Sequence, residues 1–194
     1  NDKYLRFQPR QDIELPKNSK GKKYLLYAHI PFCETLCPYC SFNRYLFEPV
    51  IAKSYFNALR QELRIYKELG YDCSGVYLGG GTPTILLDEL YKTISLIKQL
   101  YSIKEVSVET NPNHLTKTNI ETLKQMGISR LSVGVQSFND SLLKSIERYH
   151  KYGSGSEIKE SLKLAGDNFN TVNVDIIFNF PNQAQEMLNE DIDS

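Results

Sequence analysis

Three of the four cysteines fall within eight residues, in the stretch "CETLCPYC" that carries Cys33, Cys37 and Cys40. Thiolates at a C-x3-C-x2-C spacing are soft ligands, suited to an iron–sulfur cluster, zinc or copper(I). A closed zinc site takes four ligands. His29 and the distant Cys73 are the candidates for the fourth. His29, however, falls in an expected strand whose alternation turns its side chain away from the cysteine loop. The other reading is three corners of a [4Fe–4S] cube, with the fourth iron open to a small molecule.

Other residues with chemical capacity are spread along the chain. In "GGGTPT" (79–84), Gly80 and Gly81 permit close backbone approach to a ligand, and Thr82 offers a hydroxyl. No G-K-[ST] follows, so this is not a phosphate loop. Glu109 ends an apolar strand and needs a partner. That partner is either an ion pair with Arg130 or Lys124, or a ligand's ammonium or hydroxyl. Gln136 reads as a satisfied core amide or a ligand contact. Arg148, in "IERYHKYG", reads on its own as a solvated helix-end charge. Asp175 interrupts the apolar "VNVDIIF" and also needs a partner. His150 and Lys151 read as surface residues.

These residues need a scaffold that gathers them. Strands are expected at 23–30, 75–80, 105–110, 130–137 and 171–180. Helices are expected at 50–69, 86–101, 117–127, 139–147 and 156–167, with another beginning after 183. In the first helix Ala52, Tyr55, Phe56, Leu59, Leu63 and Tyr66 recur at three- and four-residue steps. Gly70 and Gly127 are placed to end helices, and Thr116 to cap one. Pro112 and Pro181 stop strands. Five strands alternating with helices predict an α/β fold, a parallel sheet of right-handed βαβ units. It closes either as a barrel-like wrap or as an open doubly wound sheet, five strands being too few for an eight-stranded barrel. Residues 1–22, polar with Pro9 and Pro16, read as an N-terminal arm, and 23–194 as the core. The chain stops just after the fifth strand, on "NEDIDS", and is expected to be truncated there. Ligands of parallel α/β folds sit beyond the carboxyl ends of the strands. There the five expected strands deliver, in order, the cysteines, Gly79 to Thr82, Glu109 with Asn111, Gln136 with Ser137, and Asp175 with Asn179.

Composition narrows the classes. The 194 residues suit one domain, and 41% hydrophobic content supports a core. Lys plus Arg and Asp plus Glu both number 23, so there is no basic excess for a nucleic-acid surface. No apolar run approaches the length of a transmembrane helix. The N-terminus lacks the apolar centre of a secretory signal. Clustered cysteines favour metal binding in a reducing compartment, so the expected location is cytoplasmic.

"CETLCPYC" resembles the cluster-binding motif of the radical S-adenosylmethionine (SAM) superfamily. The flanks "YAHIPFC", "GGGTPT", "SVETNP", "SVGVQSF" and "VDIIFNFP" are similar to the oxygen-independent coproporphyrinogen III oxidases and their haem-chaperone relatives, over about residues 24 to 184. The resemblance implies a partial (β/α) barrel of parallel strands with outer helices. It implies that Cys33, Cys37 and Cys40 hold a [4Fe–4S] cluster whose open iron chelates the amino and carboxylate groups of SAM. One electron then cleaves SAM to methionine and a 5′-deoxyadenosyl radical. Tyr39 matches the aromatic that packs on adenine, and Gly80, Gly81 and Thr82 match the loop at SAM's methionine end. Tyr27, Glu109, Gln136, Arg148 and Asp175 match further SAM contacts, shared in the oxidases between two SAM molecules. An electron donor such as flavodoxin or ferredoxin is implied.

The implied substrate is coproporphyrinogen III, whose propionates lose hydrogen and CO2 to leave vinyl groups. Propionates want cationic partners, and Arg6, Arg10 and Arg44 are candidates by charge. The chain departs from the family in places. Phe42 stands where the oxidases carry a fourth cysteine, as the haem chaperones tend to show. Glu147, Asn179, Asn182 and Ala184 stand where the family has glycine, glycine, glycine and threonine. Three functions follow from the resemblance: an oxidase acting on propionate side chains, a haem chaperone without oxidase activity, or an enzyme acting on the haem ring.

Overall fold

The computed structural model describes residues 15–18 and 22–194. Five strands form the main sheet: β1 (Tyr24–Ile30), β4 (Cys73–Gly80), β5 (Glu105–Thr110), β6 (Arg130–Gln136) and β7 (Thr171–Ile176). Two short strands, β2 (Phe32–Cys33) and β3 (Tyr45–Leu46), pair beside them. The helices are α1 (Pro49–Glu68), α2 (Leu87–Leu100), α3 (Lys117–Gln125), α4 (Asp140–Ser145), α5 (Tyr149–Tyr152), α6 (Gly155–Gly166) and α7 (Gln185–Ile192). Every main-sheet pairing is parallel, in the order β1-β4-β5-β6-β7. That order follows the chain and never reverses. A doubly wound sheet reverses at a switch point, so the winding here is the barrel type. Right-handed crossovers of constant direction put successive helices on one face, and α1, α2, α3 and α6 share the core with the strands there.

The strand sequences show the same asymmetry. Val76, Leu78, Val106, Val108, Leu131, Val133 and Val135 are each at most 4% exposed. They pack with Leu90, Ile94 and Ile97 of α2, Ile120 and Leu123 of α3, and Ile158 of α6. Each such burial contributes about 2 kcal/mol. The opposite face is polar and in register: Tyr77 lies beside Ser107, Glu109 beside Ser132, and Ser132 beside Asn173. Parallel strands covered on both sides read as continuous apolar runs. These strands alternate because helices cover one side only, and the free polar side faces the site.

Three expectations change. The helix expected at 139–147 ends at Ser145, and Arg148 starts a new turn, because Glu147 takes a left-handed φ of 59° between them. The fifth strand ends at Ile176 rather than 180. Its neighbour β6 ends at Gln136, which is itself left-handed, so the chain beyond Ile177 has no ladder to join. The pairing of β2 with β3 had no sequence signal, being two residues on each side. Of the arm, residues 15–18 are described. Asn18 bonds the end of α1 through Leu69 and Gly70, and the Tyr71 hydroxyl donates to the Pro16 carbonyl. Arg6 and Arg10 lie outside the described residues. Among the described residues, no helix is long and apolar enough to cross a membrane.

One ion-pair network joins α1 to α2. Glu89 meets Arg60 at 2.6 Å and Lys92 at 2.6 Å, with its own side chain 7% exposed and that of Lys92 60% exposed. Glu89→Ala is expected to cost about 2 kcal/mol, between the values for exposed and buried pairs. Lys92 and then Arg60 hold the Glu89 carboxyl below its usual range, against the opposing effect of burial. A depressed carboxyl stabilises the fold above its unfolded pKa of about 4.3, and that contribution is lost as pH falls through the folded value. Urea melts at pH 7 and pH 3 should show a smaller acid loss in Glu89→Gln than in the parent chain.

Candidate metal and cofactor site

A cavity of about 440 Å³ opens at the carboxyl ends of the strands. It is lined by Cys33, Cys37, Tyr39, Cys40, Gly80, Gly81, Thr82, Glu109, Gln136, Arg148 and Asp175. Arg44 lines it too. Of the residues matched to SAM contacts, Tyr27 alone lies elsewhere, and of the expected rim Gly79, Ser137 and Asn179 do not line the cavity, Ser137 being buried against Asp191. Tyr27 stacks on Tyr77, 6.1 Å between ring centres, and lines a second cavity along β1 and α1.

The cysteine loop is closed at its base by β2 and β3. Tyr45 N donates to Pro31 O and Phe47 N to Cys33 O, at 2.7 and 2.8 Å. Gly81 seats this base against β4, since a Cβ there would stand 2.6 Å from Phe32 O and 2.8 Å from Cys33 Sγ. The three loop cysteines are free and partly exposed. Burial raises the Cys33 pKa, opposed by the Thr82 hydroxyl at 4.0 Å. Among the described residues, no three His, Cys, Asp or Glu side chains converge tightly enough to hold a single metal ion. In a cube each thiolate takes its own iron, so the loop thiols need not converge on one ion. Cys73 begins β4, about 23 Å of strand away from Gly80. His29 corrects its expected orientation. Its Nε2 reaches the Asn43 carbonyl at 3.0 Å and its Nδ1 the Tyr27 hydroxyl at 2.9 Å, so it braces the loop's return.

Arg148 overturns its reading as a solvated charge, being 2% exposed. Its guanidinium donates to Tyr39 Oη at 3.1 Å, Asn111 Oδ1 at 3.2 Å and the Gly134 carbonyl, and approaches Cys37 Sγ at 3.8 Å. Tyr152 stacks beneath it at 3.8 Å. None of these partners is a carboxylate, and Nε has no partner. A buried cation without a counter-charge is costly unless a ligand supplies one. Asn111 also donates to Thr82 Oγ1 at 2.9 Å, which ties the glycine loop to Arg148.

Glu109 makes neither expected ion pair. It accepts from Tyr77 Oη at 2.8 Å and from the Gly80 amide at 2.8 Å. Burial, then Glu109, pushes the Tyr77 hydroxyl up to about 12, so it remains a donor. Asp175 accepts from Ser132 and Asn173, and partial burial raises its pKa against both. Two carboxylates, a guanidinium and three thiols thus line one cavity. That pattern suits a zwitterion carrying both an ammonium and a carboxylate.

The sequence profile of the radical SAM superfamily matches residues 27–194. The chain belongs to the radical SAM superfamily. It is 37% identical over 175 residues to the haem chaperone HemW of Bacillus subtilis, covering 87% of this chain and 46% of that protein. It is 34% identical over 172 residues to an oxygen-independent coproporphyrinogen III oxidase of Helicobacter pylori, covering 83% and 37%. The solved coproporphyrinogen III oxidase HemN of Escherichia coli superposes with a TM-score of 0.78 at 29% identity, covering 89% of this chain and 41% of that one. The chain therefore spans less than half the length of these relatives. Radical SAM membership and the HemN fold imply a [4Fe–4S] cluster and SAM as cofactors, and the spread thiols and uncompensated Arg148 fit both.

The departures from the radical SAM relatives acquire a conformational meaning in three dimensions. Glu147, Asn179 and Asn182 all have left-handed backbones, with φ of 59°, 68° and 64°. Asparagine tolerates this region and glutamate does not. Glu147→Gly is therefore expected to stabilise the chain by about 1 kcal/mol, raising Tm by about 2–4 °C. Asn182→Gly should change it by less than half as much. Differential scanning calorimetry decides between these outcomes. An unchanged or lowered Tm in Glu147→Gly would show that no strain is relieved.

Tyr152, Asn113 and Lys151 complete the surroundings and were not singled out as site residues from the sequence. Tyr152 had a signal available, an aromatic one helical turn beyond Arg148. The others depend on contacts distant in sequence.

Proposed function

We propose that this chain is the cluster- and SAM-binding core of a haem-pathway protein of the oxygen-independent coproporphyrinogen III oxidase type. The supporting observation is Arg148, a buried guanidinium without a carboxylate partner, beside three free thiols. In this reading Cys33, Cys37 and Cys40 hold the cluster. Arg148 takes SAM's carboxylate, and Glu109 or Asp175 an ammonium or hydroxyl. Gly80, Gly81 and Thr82 present backbone to the methionine end, and Tyr39 offers its ring to adenine. Gln136, held left-handed at the end of β6, turns its amide to the same cavity. When bound, the cluster and SAM supply one-electron carbon–sulfur cleavage and, from it, hydrogen-atom abstraction. The chain's own part is to orient SAM, with the Tyr77 hydroxyl and the Arg148 guanidinium as donors at the rim.

A second reading is the haem chaperone. The observation that favours it is Phe42, 74% exposed on the loop where the oxidases carry a further cysteine. An oxidase uses coproporphyrinogen III and an electron donor of the flavodoxin or ferredoxin kind; a chaperone holds haem. The longer protein containing this core, reconstituted anaerobically, should be given coproporphyrinogen III, SAM and reductant, and separately titrated with haem. Vinyl product establishes the oxidase reading. Stable haem binding with no vinyl product moves the assignment to the chaperone.

A further inference from the structure

Between Cys33 and Cys37 lie Glu34, Thr35 and Leu36, and two of these three are gripped from outside the loop. Glu34 Oε2 accepts from Lys151 Nζ at 2.8 Å and from Asn113 Nδ2 at 3.3 Å. Lys151 Nζ also donates to Thr35 Oγ1 at 3.2 Å. His114 Nε2 stands 3.6 Å from Glu34 Oε1, and its Nδ1 is tied to Thr84 Oγ1 at 2.7 Å. Burial lowers the His114 pKa and keeps the ring neutral near pH 7, so Lys151 is the charge partner. The Lys151 side chain is 20% exposed, which corrects its reading as a surface residue.

The grip has a common root with the arginine. Arg148 caps α5, and Lys151 lies within it. Arg148 reaches Cys37 Sγ while Lys151 reaches Glu34 and Thr35. One helical turn therefore touches both ends of the three-residue span that separates two thiols. Because the Glu34 side chain is 41% exposed, the ion pair contributes little to global stability although Lys151 is half-buried. The pair's effect is local: the rest of the loop is held at its base, at Cys37 by Arg44, at Tyr39 by Arg148 and at Asn43 by His29, whereas Glu34 and Thr35 are held by Lys151 and Asn113.

We propose that Glu34 and Lys151 are positioning residues that clamp the Cys33–Cys37 span in the shape that presents its thiolates to the cluster. This rests on the reading of Cys33, Cys37 and Cys40 as cluster ligands. Partners that orient metal ligands typically affect retention by about 10–100-fold when removed. The test uses Glu34→Gln, Lys151→Met, and the exchanged pair Glu34→Lys with Lys151→Glu. Two readouts are taken: hydrogen exchange of the loop amides in the metal-free 194-residue chain, and iron loss to a chelator after anaerobic reconstitution. Each single variant should exchange and lose iron about tenfold faster. The exchanged pair should recover most of both, and Tm should move by no more than about 2 °C, in keeping with an exposed pair. Single variants within about twofold of the parent, or an exchanged pair as leaky as the singles, would overturn the clamp. If the parent takes up zinc and no iron, the cluster reading fails, and the metal-free exchange rates still decide the clamp.

Discussion

Serine at any one of positions 33, 37 or 40 is expected to leave the anaerobically reconstituted chain with almost no cluster iron, against about four irons in the parent. The expected effect is large because the proposed site has three thiolate ligands, so none is redundant. Serine keeps the size of the side chain but replaces a soft thiolate with a hard hydroxyl that is not ionised near neutral pH. The loop itself should survive, since its base bonds run through the backbone of Pro31, Cys33, Tyr45 and Phe47. Cys73→Ser is the internal control. Cys73 is buried at the start of β4, and its loss should leave iron content unchanged at a modest cost in stability. Iron and sulfide analysis with electron paramagnetic resonance of the reduced protein reads the result. A Cys37→Ser chain that keeps four irons, or a parent that binds one zinc and no iron, would rule out a three-thiolate cluster at this loop.

The second large effect is expected at Arg148. Arg148→Met should weaken SAM binding to the reconstituted chain by about 30–100-fold, equivalent to one or two charge-assisted hydrogen bonds. Methionine approximates the buried volume but leaves Asn111 Oδ1 and the Gly134 carbonyl without that donor, so the cofactor-free fold should lose about 1–3 kcal/mol and still fold. Arg148→Lys should not rescue binding. The planar fork presently serves Tyr39, Asn111 and Gly134 while stacking on Tyr152, and an ammonium cannot hold that geometry. Equilibrium dialysis gives the affinity and thermal melting of the metal-free chain gives the stability. Unchanged SAM affinity in Arg148→Met would remove the carboxylate role, and collapse of the metal-free chain would make the residue structural.

What the sequence disclosed and what it hid divide along physical lines. The strands were legible because alternation, flanking glycines and prolines are local signals, while their order in the sheet was left open between a wrap and a reversal because sheet order is a non-local property. The rim residues followed from the rule that parallel strands end at the site. Glu109 was recognised as needing a partner, but its partners were misjudged, because the Gly80 amide and the Tyr77 hydroxyl leave no charge signature in a sequence. Arg148 looked solvated for the same reason: its burial is made by Tyr39, Gly134 and Tyr152, contacts that exist only once β6 and the cysteine loop are assembled. Lys151 and Glu34 stand far apart in the chain, and a single ion pair at that separation has no pattern to detect. Glu147 shows the reverse case. Its departure from glycine was visible in the letters, while the left-handed backbone that gives the departure its cost, and that splits the helix expected at 139–147, appeared only in three dimensions.

The one-sided covering of the sheet has a consequence for how such a chain can change. Val76, Val108 and Leu131 are constrained in volume by the helices against them. Ser107, Ser132 and Asn173 on the other face meet no such wall of apolar side chains. Mutations there can alter polarity and shape without opening a cavity in the core. A saturation library scored for folding should therefore split by parity along each strand, and one scored for cofactor binding should add Glu109, Gln136 and Asp175 to the intolerant positions. Changes of ligand at the cavity could thus be made at the parity away from the helices without first acquiring stabilising changes elsewhere.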